Sequence, residues 1–337
     1  MGWLAHVHGD PLAWLLDPAE PGVRAAALMR LLGRAPDDPE VVAARAAAMA
    51  TDPIRAILAA QHADGWWVKP GPGYAPKYTG TVWEVIFLDQ LGADAADPRI
   101  RRACDYVLDR TRASTGGFGA SGDATTAAPP SSVYHCLNGN LVRALIGFGH
   151  LDDPRLQVAI DWAAGATNGE GEVAYYRSGT SSPGFACGAN QGQPCAWGAV
   201  KELLGLARVP EERRTPAVRR AIERGVAFLL SVDPLTADYP RPSYATRPSG
   251  SWFHLGFPSG YVTDLLQNLE ALVALGHAGD PRLARSLAWL EEQQDFGGRW
   301  ANRYAYNGKT VVDFEAQGAP SKWVTLRACA VLRAVHG

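Results

Sequence analysis

The sequence lacks the features of several protein classes. Its 32 Lys and Arg residues are balanced by 34 Asp and Glu residues, so the formal net charge is −2 and no basic excess indicates a nucleic-acid partner. No uninterrupted apolar run approaches the roughly 20 residues that a membrane span needs. Residues 1–6 show neither the basic segment nor the apolar stretch of a signal peptide, and we therefore expect a cytoplasmic protein.

Cysteine is scarce, with five residues in a chain of 337. An odd number in a long chain argues against a secreted disulfide framework and favours free or metal-bound thiols. The sequence has no Cys-x-x-Cys pair, no phosphate-binding loop ending in Gly-Lys-Ser and no Gly-x-Ser-x-Gly motif. These absences exclude the commonest motifs of zinc fingers, nucleotide-binding proteins and serine hydrolases.

Glycine, proline and tryptophan are abundant, with 36, 24 and 11 residues. Much of the glycine and proline belongs to a repeat in which an apolar segment ends at Gly and an Asp-Pro-Arg triplet follows. The clearest copies have Gly92, Gly149 and Gly276 before the triplets 97–99, 153–155 and 280–282. Glycine ends helices, whereas Asp and Pro begin them. The repeat therefore predicts helical hairpins, each with one apolar and one amphipathic helix.

Apolar helices must be buried, and a closed ring of hairpins buries them all. We predict an all-α protein, an α/α toroid of about six hairpins in one domain over 1–337. The inner helices are expected near 79–91, 135–148, 194–206, 262–275 and 323–335. Helices within residues 1–60 are expected to supply the remaining pair and close the ring.

Two hairpin ends carry a further motif, Gln-His-Ala-Asp-Gly-Trp at 61–66 and Gln-Asp-Phe-Gly-Gly-Arg-Trp at 294–300. They resemble the Gln…Asp-Gly-x-Trp repeat of the terpenoid cyclase and protein prenyltransferase superfamily, which includes the squalene cyclases. The resemblance implies an α/α toroid in which the Gln and Trp side chains connect helix ends. The Asp-x-Asp-Asp motif of class II terpene cyclases is absent, and the acidic cluster at 37–40 lacks the later Asp of a class I motif.

Two cysteines occupy equivalent places in consecutive repeats. Cys136 lies 13 residues before Gly149, and its Cys-Leu-Asn-Gly context aligns with Cys-Ala-Trp-Gly from Cys195. Both should lie at inner-helix N-termini, where thiolates are favoured. Neighbouring helix axes about 8–10 Å apart would let two thiolates share one zinc. Cys187 precedes Cys195 in a glycine-rich loop that should cross the same rim.

We therefore predict a zinc site held by Cys136, Cys187 and Cys195, with His135 or His254 as the fourth ligand. The lanthipeptide cyclases are similar, since these α/α toroids hold zinc with Cys and His at inner-helix starts. Protein prenyltransferases use Asp, Cys and His near the same rim. A metal-free reactive thiol and a purely structural role in packing are the alternatives.

Other polar and aromatic side chains are expected at the same mouth of the ring. As groups that move protons we consider Asp264, Tyr261, Asp313 and His254. As groups that bind substrate we consider Tyr134, Asn138, Asn140, Trp197, Trp252, Trp323 and Lys322. Capping, ion pairing and packing are the ordinary alternatives for each of them.

The sequence thus favours an enzyme in which a Cys-ligated zinc activates water or a substrate thiol. The expected substrate is a small, largely apolar organic molecule. A metal-free isoprenoid cyclase or isomerase is the second hypothesis, with Asp264 or Asp313 as the acid and aromatic faces stabilising carbocations. The third is a non-catalytic scaffold that binds a peptide or lipid and holds a structural zinc.

Overall fold

The computed structural model describes residues 2–123, 125–170 and 181–337, except the side chains of 181–183. These residues form thirteen α-helices, so the all-α prediction is confirmed. The helices are α1 Leu12–Leu15, α2 Pro21–Arg30, α3 Pro39–Met49, α4 Ile54–Ala59, α5 Thr81–Gln90, α6 Pro98–Arg110, α7 His135–Gly147, α8 Pro154–Asn168, α9 Ala196–Leu206, α10 Pro216–Leu229, α11 Leu265–Ala274, α12 Ala284–Glu292 and α13 Lys322–His336. Two-residue strands β1 (Ser181–Ser182) and β2 (Ala186–Cys187) pair antiparallel, and a short 3-10 helix spans Gly2–His6.

The Asp-Pro-Arg triplets begin helices as the repeat predicts. Each Asp carboxylate accepts a hydrogen bond from the backbone N–H two residues later, at 2.8–2.9 Å. The glycines that end the preceding helices have φ between 72° and 88°, a region in which a side chain would be strained. The same Gly and Asp-Pro-Arg signal therefore forms the turn of three hairpins, α5–α6, α7–α8 and α11–α12.

Six helices form the inner wall of a ring. Contacts run from α5 to α7, α9, α11, α13 and α2 in that order. The ring closes where Gly22 of α2 faces the carbonyl group of Leu91 at the end of α5. The inner helices begin and end within three residues of the predicted bounds. Helices α3, α6, α8, α10 and α12 follow their inner partners along the chain, and the 3-10 helix and α1 pack against α13.

The Gln and Trp repeat connects helix ends. The Gln61 amide donates to the carbonyl of Arg99 at 2.9 Å, and Trp300 Nε1 donates to the carbonyl of Leu290 at 2.7 Å. The equivalent of Trp300 is Trp67, whose Nε1 donates to Ile57 at 2.8 Å. Trp66, which the motif indicates, instead stacks on His62 at 4.0 Å between ring centroids. The motif is thus shifted by one residue from the expected alignment.

A buried loop, residues 255–260, occupies the centre of the ring. Side chains from three inner helices hold its backbone. Gln90 of α5 exchanges two hydrogen bonds with Ser259, at 2.7 and 2.8 Å. Asn140 of α7 donates to the Gly260 carbonyl, and Arg327 of α13 donates to the Gly256 carbonyl, both at 3.0 Å. The loop therefore divides the interior into two ends.

None of the described helices has both the length and the apolar character that crossing a membrane requires.

Candidate functional site

Helices α7 and α9 touch through glycine. A Cβ atom at Gly139 would lie 2.3 Å from the carbonyl oxygen of Lys201, and one at Gly205 would lie 2.6 Å from the carbonyl oxygen of Gly139. The two helix backbones can approach this closely only because residues 139 and 205 are both glycine. The two helices also meet at their N-terminal ends, which carry Cys136 and Cys195, since a Cβ atom at Gly198 would lie 3.2 Å from the Cβ atom of His135.

We expect Gly139→Ala to destabilise the protein by about 1–3 kcal/mol, because the new methyl group would meet rigid backbone atoms. In an ordinary helix the same change stabilises by up to about 1 kcal/mol. Guanidinium denaturation measures the difference. Gly279→Ala is the control, since its Cβ would have no atom within 4 Å and should change stability by less than about 0.5 kcal/mol. A Gly139→Ala protein as stable as the wild type would contradict the close helix packing.

Cys187 and Cys195 lie together at the start of α9. Cys195 is the N-cap residue of this helix, and its backbone N–H donates to the carbonyl of Phe185 at 2.9 Å. The Cys195 thiol donates a hydrogen bond to the sulfur of Cys187. This bond and the backbone N–H groups of Ala189 and Asn190 lower the pKa of Cys187 to about 6, while the pKa of Cys195 is well above its usual value. The pair therefore favours a thiolate on Cys187 and a protonated thiol on Cys195.

Cys136 is the third thiol of the group. Burial, and then the charge of Cys187, raise its pKa to about 12. Among the described residues, two groups of three or more His, Cys, Asp or Glu side chains have ligand atoms within 4.8 Å of one another, and neither group contains a cysteine. The structure therefore brings Cys187 and Cys195 into contact and places Cys136 near them, but outside the distance of a closed ligand set.

The two candidate histidines lie in different places. His135 is 2% exposed, and its Nδ1 lies 3.6 Å from Oε1 of the buried Glu202. Its ring contacts Phe185, at 5.3 Å between centroids, on the loop that carries Cys187. His254 is exposed and lines a small cavity with Asp264 and Tyr304 beside the central loop. Of the two, His135 is therefore the histidine that belongs to the cysteine group.

A cavity of about 420 Å³ opens beside the cysteine pair. Its walls include Cys187, Cys195 and Trp197, and on the far side the segment 237–249 with Trp252. The indole of Trp252 is 2% exposed and donates to the carbonyl of Pro234 at 3.0 Å, so it forms a fixed wall. The volume falls in the range of about 300–1,000 Å³ that is typical of small-molecule sites.

Aromatic side chains continue from this cavity across the mouth of the ring. Trp197 contacts Tyr261, Tyr261 stacks on Tyr78, and Tyr74 contacts Tyr134, each at 6.4 Å between ring centroids. The ammonium group of Lys77 lies 4.9 Å from the centroid of the Tyr261 ring. Cations favour such positions over aromatic faces. The surface is thus largely apolar and attracts positive charge.

The candidate Asp and Asn residues hold backbone groups. Asp264 caps α11 by accepting from the N–H of Gln267 at 2.8 Å, and it also accepts from Gly256 at 3.1 Å. Asn138 accepts from the N–H of Phe118 at 3.1 Å. Asp313 is exposed and accepts from Gly308 at 2.7 Å. These contacts fix loops and helix ends, as the contact of Asn140 with the central loop does.

Lys322 and Trp323 begin α13. The Lys322 ammonium group lies 3.0 Å from a carboxylate oxygen of Asp17, and Trp323 stacks on Phe257 of the central loop at 4.9 Å. Neither residue lines the cysteine cavity. The structure therefore groups Cys136, Cys187, Cys195, Trp197 and Trp252 with Tyr134 and Tyr261, and separates them from the start of α13.

Sequence reasoning missed several residues of this region. Tyr74, Lys77 and Tyr78 lie just before α5, at the place where the cysteines precede α7 and α9, and their repeat position is the signal that would have found them. Lys201 is 1% exposed on α9 and donates to Gln267, and burial lowers its pKa to about 7. Glu84 is fully buried on α5, and burial raises its pKa well above normal. Charged residues within apolar inner helices were the available signal.

Comparisons with known proteins return only distant structural similarity. No family model matches the chain, and no curated protein matches it. MstE, a type II terpene cyclase from Scytonema, is similar in its apo form and in complex with its substrate geranylgeranyl dihydroxybenzoate. Identity is 15%, coverage is 86% of this chain and 96% of that chain, and the TM-scores are 0.30 and 0.31. A protein from Actinoplanes is 14% identical, with 86% and 99% of the two chains covered and a TM-score of 0.31.

At such identities and TM-scores these matches carry no conclusion about fold family or chemistry. The ring itself follows from the helix contacts of this chain, and the site follows from its side chains.

Proposed function

We propose that this chain is an enzyme whose cysteine group acts on a small, largely apolar organic molecule bound in the adjacent cavity. The observation that carries the proposal is the hydrogen-bonded pair of Cys187 and Cys195 in the wall of a 420 Å³ cavity. Purely structural cysteines are buried, protonated and away from cavities. This pair instead presents a thiolate to a space of ligand size.

We further propose that Cys136, Cys187 and Cys195 hold one zinc ion. Three thiols with one preformed thiolate are a donor set that zinc prefers, and His135 lies against the same loop. Two of the three sulfurs, those of Cys187 and Cys195, already lie together. The Cys136 sulfur must approach them when zinc binds. Zinc in such a site supplies a Lewis acid that activates water or a substrate thiol.

The protein residues around this site have definable tasks. The backbone N–H groups of Ala189 and Asn190 stabilise negative charge on Cys187. Trp197 and Trp252 exclude water from the cavity walls, and Tyr261 lies behind Trp197 as a hydroxyl group that could move a proton. This arrangement suits attack on a bound, mostly apolar molecule at the edge next to the sulfurs.

Metal content tests the zinc site. We expect full-length protein purified without chelators to carry about one zinc per chain, as measured by inductively coupled plasma mass spectrometry. Most of this zinc should be lost in each of three variants, Cys136→Ser, Cys187→Ser and Cys195→Ser. A site that keeps only two of its three thiolates binds zinc weakly. Cys104→Ala is the matched control, since Cys104 is buried in α6 away from the site. Circular dichroism shows whether each variant is folded.

Zinc-free wild-type protein, or zinc retained in all three serine variants, would overturn the zinc site. Alkylation of the zinc-free protein then tests the remaining proposal. A Cys187 alkylation rate that rises as pH increases through about 6 would identify a free reactive thiolate, because the thiolate fraction grows across that pKa. A rate that rises only near the usual thiol pKa of about 8.5 would contradict both forms of the proposal.

A metal-free isoprenoid cyclase or isomerase is the second candidate. The aromatic surface around Tyr261, with Lys77 over its ring, favours it, because such faces stabilise cations. The expected acids do not add support, since Asp264 accepts two backbone hydrogen bonds and Asp313 is exposed. Zinc-free protein that cyclises an isoprenoid would favour this candidate, and a closed four-ligand zinc would favour a binding scaffold.

A further inference from the structure

A second cavity, of about 290 Å³, lies at the opposite end of the ring from the cysteines. It is enclosed by the C-terminal ends of α5 and α7 and by α2 and α3. Four arginines line it, against two aspartates: Arg30, Arg45, Arg143 and Arg208 with Asp89 and Asp94. So many guanidinium groups around one small space require compensation by negative charge.

The protein compensates only part of this charge. Arg208 forms a two-pronged ion pair with Asp89, at 2.9 and 3.3 Å, and Arg30 reaches Glu270 at 3.3 Å. Glu270 is already bound by Arg327 through three hydrogen bonds of 2.6–3.1 Å. Glu270 is therefore shared by two arginines, whereas the carboxylate of Asp94 accepts from the backbone N–H of Ala96 at 2.9 Å and pairs with no arginine among the described residues.

Arg143 is the guanidinium group left over. Within the described part of the chain it forms neither an ion pair within 4.0 Å nor a hydrogen bond, although it lines a cavity between helices. Burial, and then the positive charge of Arg208, lower its pKa to about 10, and the nearby charges of Glu270 and Asp89 offset this only in part. Arg45 contacts the sulfur of Met29 at 3.2 Å and likewise has no carboxylate among the described residues. Two guanidinium groups of the cavity wall thus have no carboxylate in direct contact among the described residues.

We propose that this cavity binds a phosphoryl group, either as free phosphate or diphosphate or as part of a small organic phosphate. Guanidinium groups bind phosphate oxygens with paired, charge-assisted hydrogen bonds, and the two that have no carboxylate in direct contact, Arg143 and Arg45, match a multiply charged anion. The volume is just below that of drug-sized sites, which suits a headgroup of this size. Phe148, Met29 and Trp323 in the same wall leave room for a short apolar substituent.

Calorimetric titration of the full-length protein with inorganic pyrophosphate, in about 0.15 M NaCl, tests the proposal. We expect saturable binding of one pyrophosphate per chain. Arg143→Met should weaken it about 10-fold to 100-fold, the loss typical of one charged hydrogen-bond donor. Arg220→Met is the matched control, because Arg220 is 51% exposed and pairs with Glu170 on the surface, and it should bind as the wild type does.

Stability measured without anion separates a ligand-binding role from a structural one. Because burial and repulsion by Arg208 outweigh the attraction of Glu270 and Asp89 for Arg143, Arg143→Met should unfold at the wild-type denaturant concentration or above it. A marked loss of stability would assign Arg143 to the fold and overturn the proposal. Equal pyrophosphate affinity in wild type and Arg143→Met, or no saturable binding by wild type, would overturn it as well.

Orthophosphate and butyl phosphate are titrated in parallel to distinguish the source of the group. Tighter binding of butyl phosphate than of orthophosphate identifies the headgroup of an organic molecule, and tightest binding of pyrophosphate identifies a free anion or a diphosphate. The Cys187→Ser variant should bind all three as the wild type does. The phosphoryl site therefore stands or falls separately from the zinc site.

Discussion

Trp67→Ala is expected to destabilise the protein by about 3–5 kcal/mol, whereas Trp66→Ala should cost less than about 1.5 kcal/mol. Trp67 is 1% exposed, its ring packs in the main core, and its Nε1 donates to the carbonyl of Ile57 at 2.8 Å. Removing it leaves a large cavity and takes away one of the two donors to the Ile57 carbonyl, the other being the backbone N–H of Ala60. The Trp66→Ala variant loses only the stacking of this ring on His62. Guanidinium denaturation of the two variants measures the contrast.

The adjacent tryptophans are an internal control, because they have the same chemistry and almost the same position in sequence. Trp300→Ala should behave as Trp67→Ala does, since Trp300 is fully buried and donates to Leu290 in the same way. Similar losses for Trp66→Ala and Trp67→Ala would contradict the assignment of Trp67 as the repeat position.

The fold was predictable because its signals are local and repeated. Each Asp-Pro-Arg triplet caps a helix through contacts only two residues apart, so its meaning does not depend on the rest of the chain. The ring follows from the requirement to bury apolar helices that cannot be covered in a line. Trp66 was mistaken for Trp67 because two tryptophans in succession satisfy the motif equally well, and only packing distinguishes them.

The candidate site was less predictable because its geometry depends on distant segments. Repeat alignment placed Cys136 and Cys195 at equivalent helix starts; the structure has both at helix starts, with Cys195 as the N-cap of α9 and Cys136 as the second residue of α7. The contact of Cys187 with Cys195 depends on the course of a loop, which periodicity does not describe. The central loop at 255–260 is fixed by Gln90, Asn140 and Arg327, which lie on three different helices. No local pattern could indicate that Asn140 would hold this loop and not face a substrate.

Glu270→Gln is expected to cost about 3–5 kcal/mol, because it removes one partner of a buried ion pair. Glu270 and Arg327 are 7% and 6% exposed, and Arg327 also holds the central loop through Gly256. Without the carboxylate, a buried guanidinium group is left without its counter-charge, and Arg30 loses a partner as well. Glu170→Gln is the matched control, since its pair with Arg220 is about half exposed and should be worth less than about 1 kcal/mol.

The double variant Glu270→Gln with Arg327→Met tests the cause. Removing both charges should recover much of the lost stability, because apolar replacement of a buried ion pair is often nearly neutral.

The pH dependence of stability gives a second test. Burial raises the pKa of Glu270, but the charge and hydrogen bonds of Arg327 outweigh it and lower the pKa to about 2, below its ordinary value of 4.5. Because the folded state releases this proton more readily than the unfolded state, the contribution is complete above about pH 4.5 and is lost as pH falls towards 2. Wild type should lose this stability in that range and Glu270→Gln should not; an equal acid dependence in both would assign the acid sensitivity to other carboxylates.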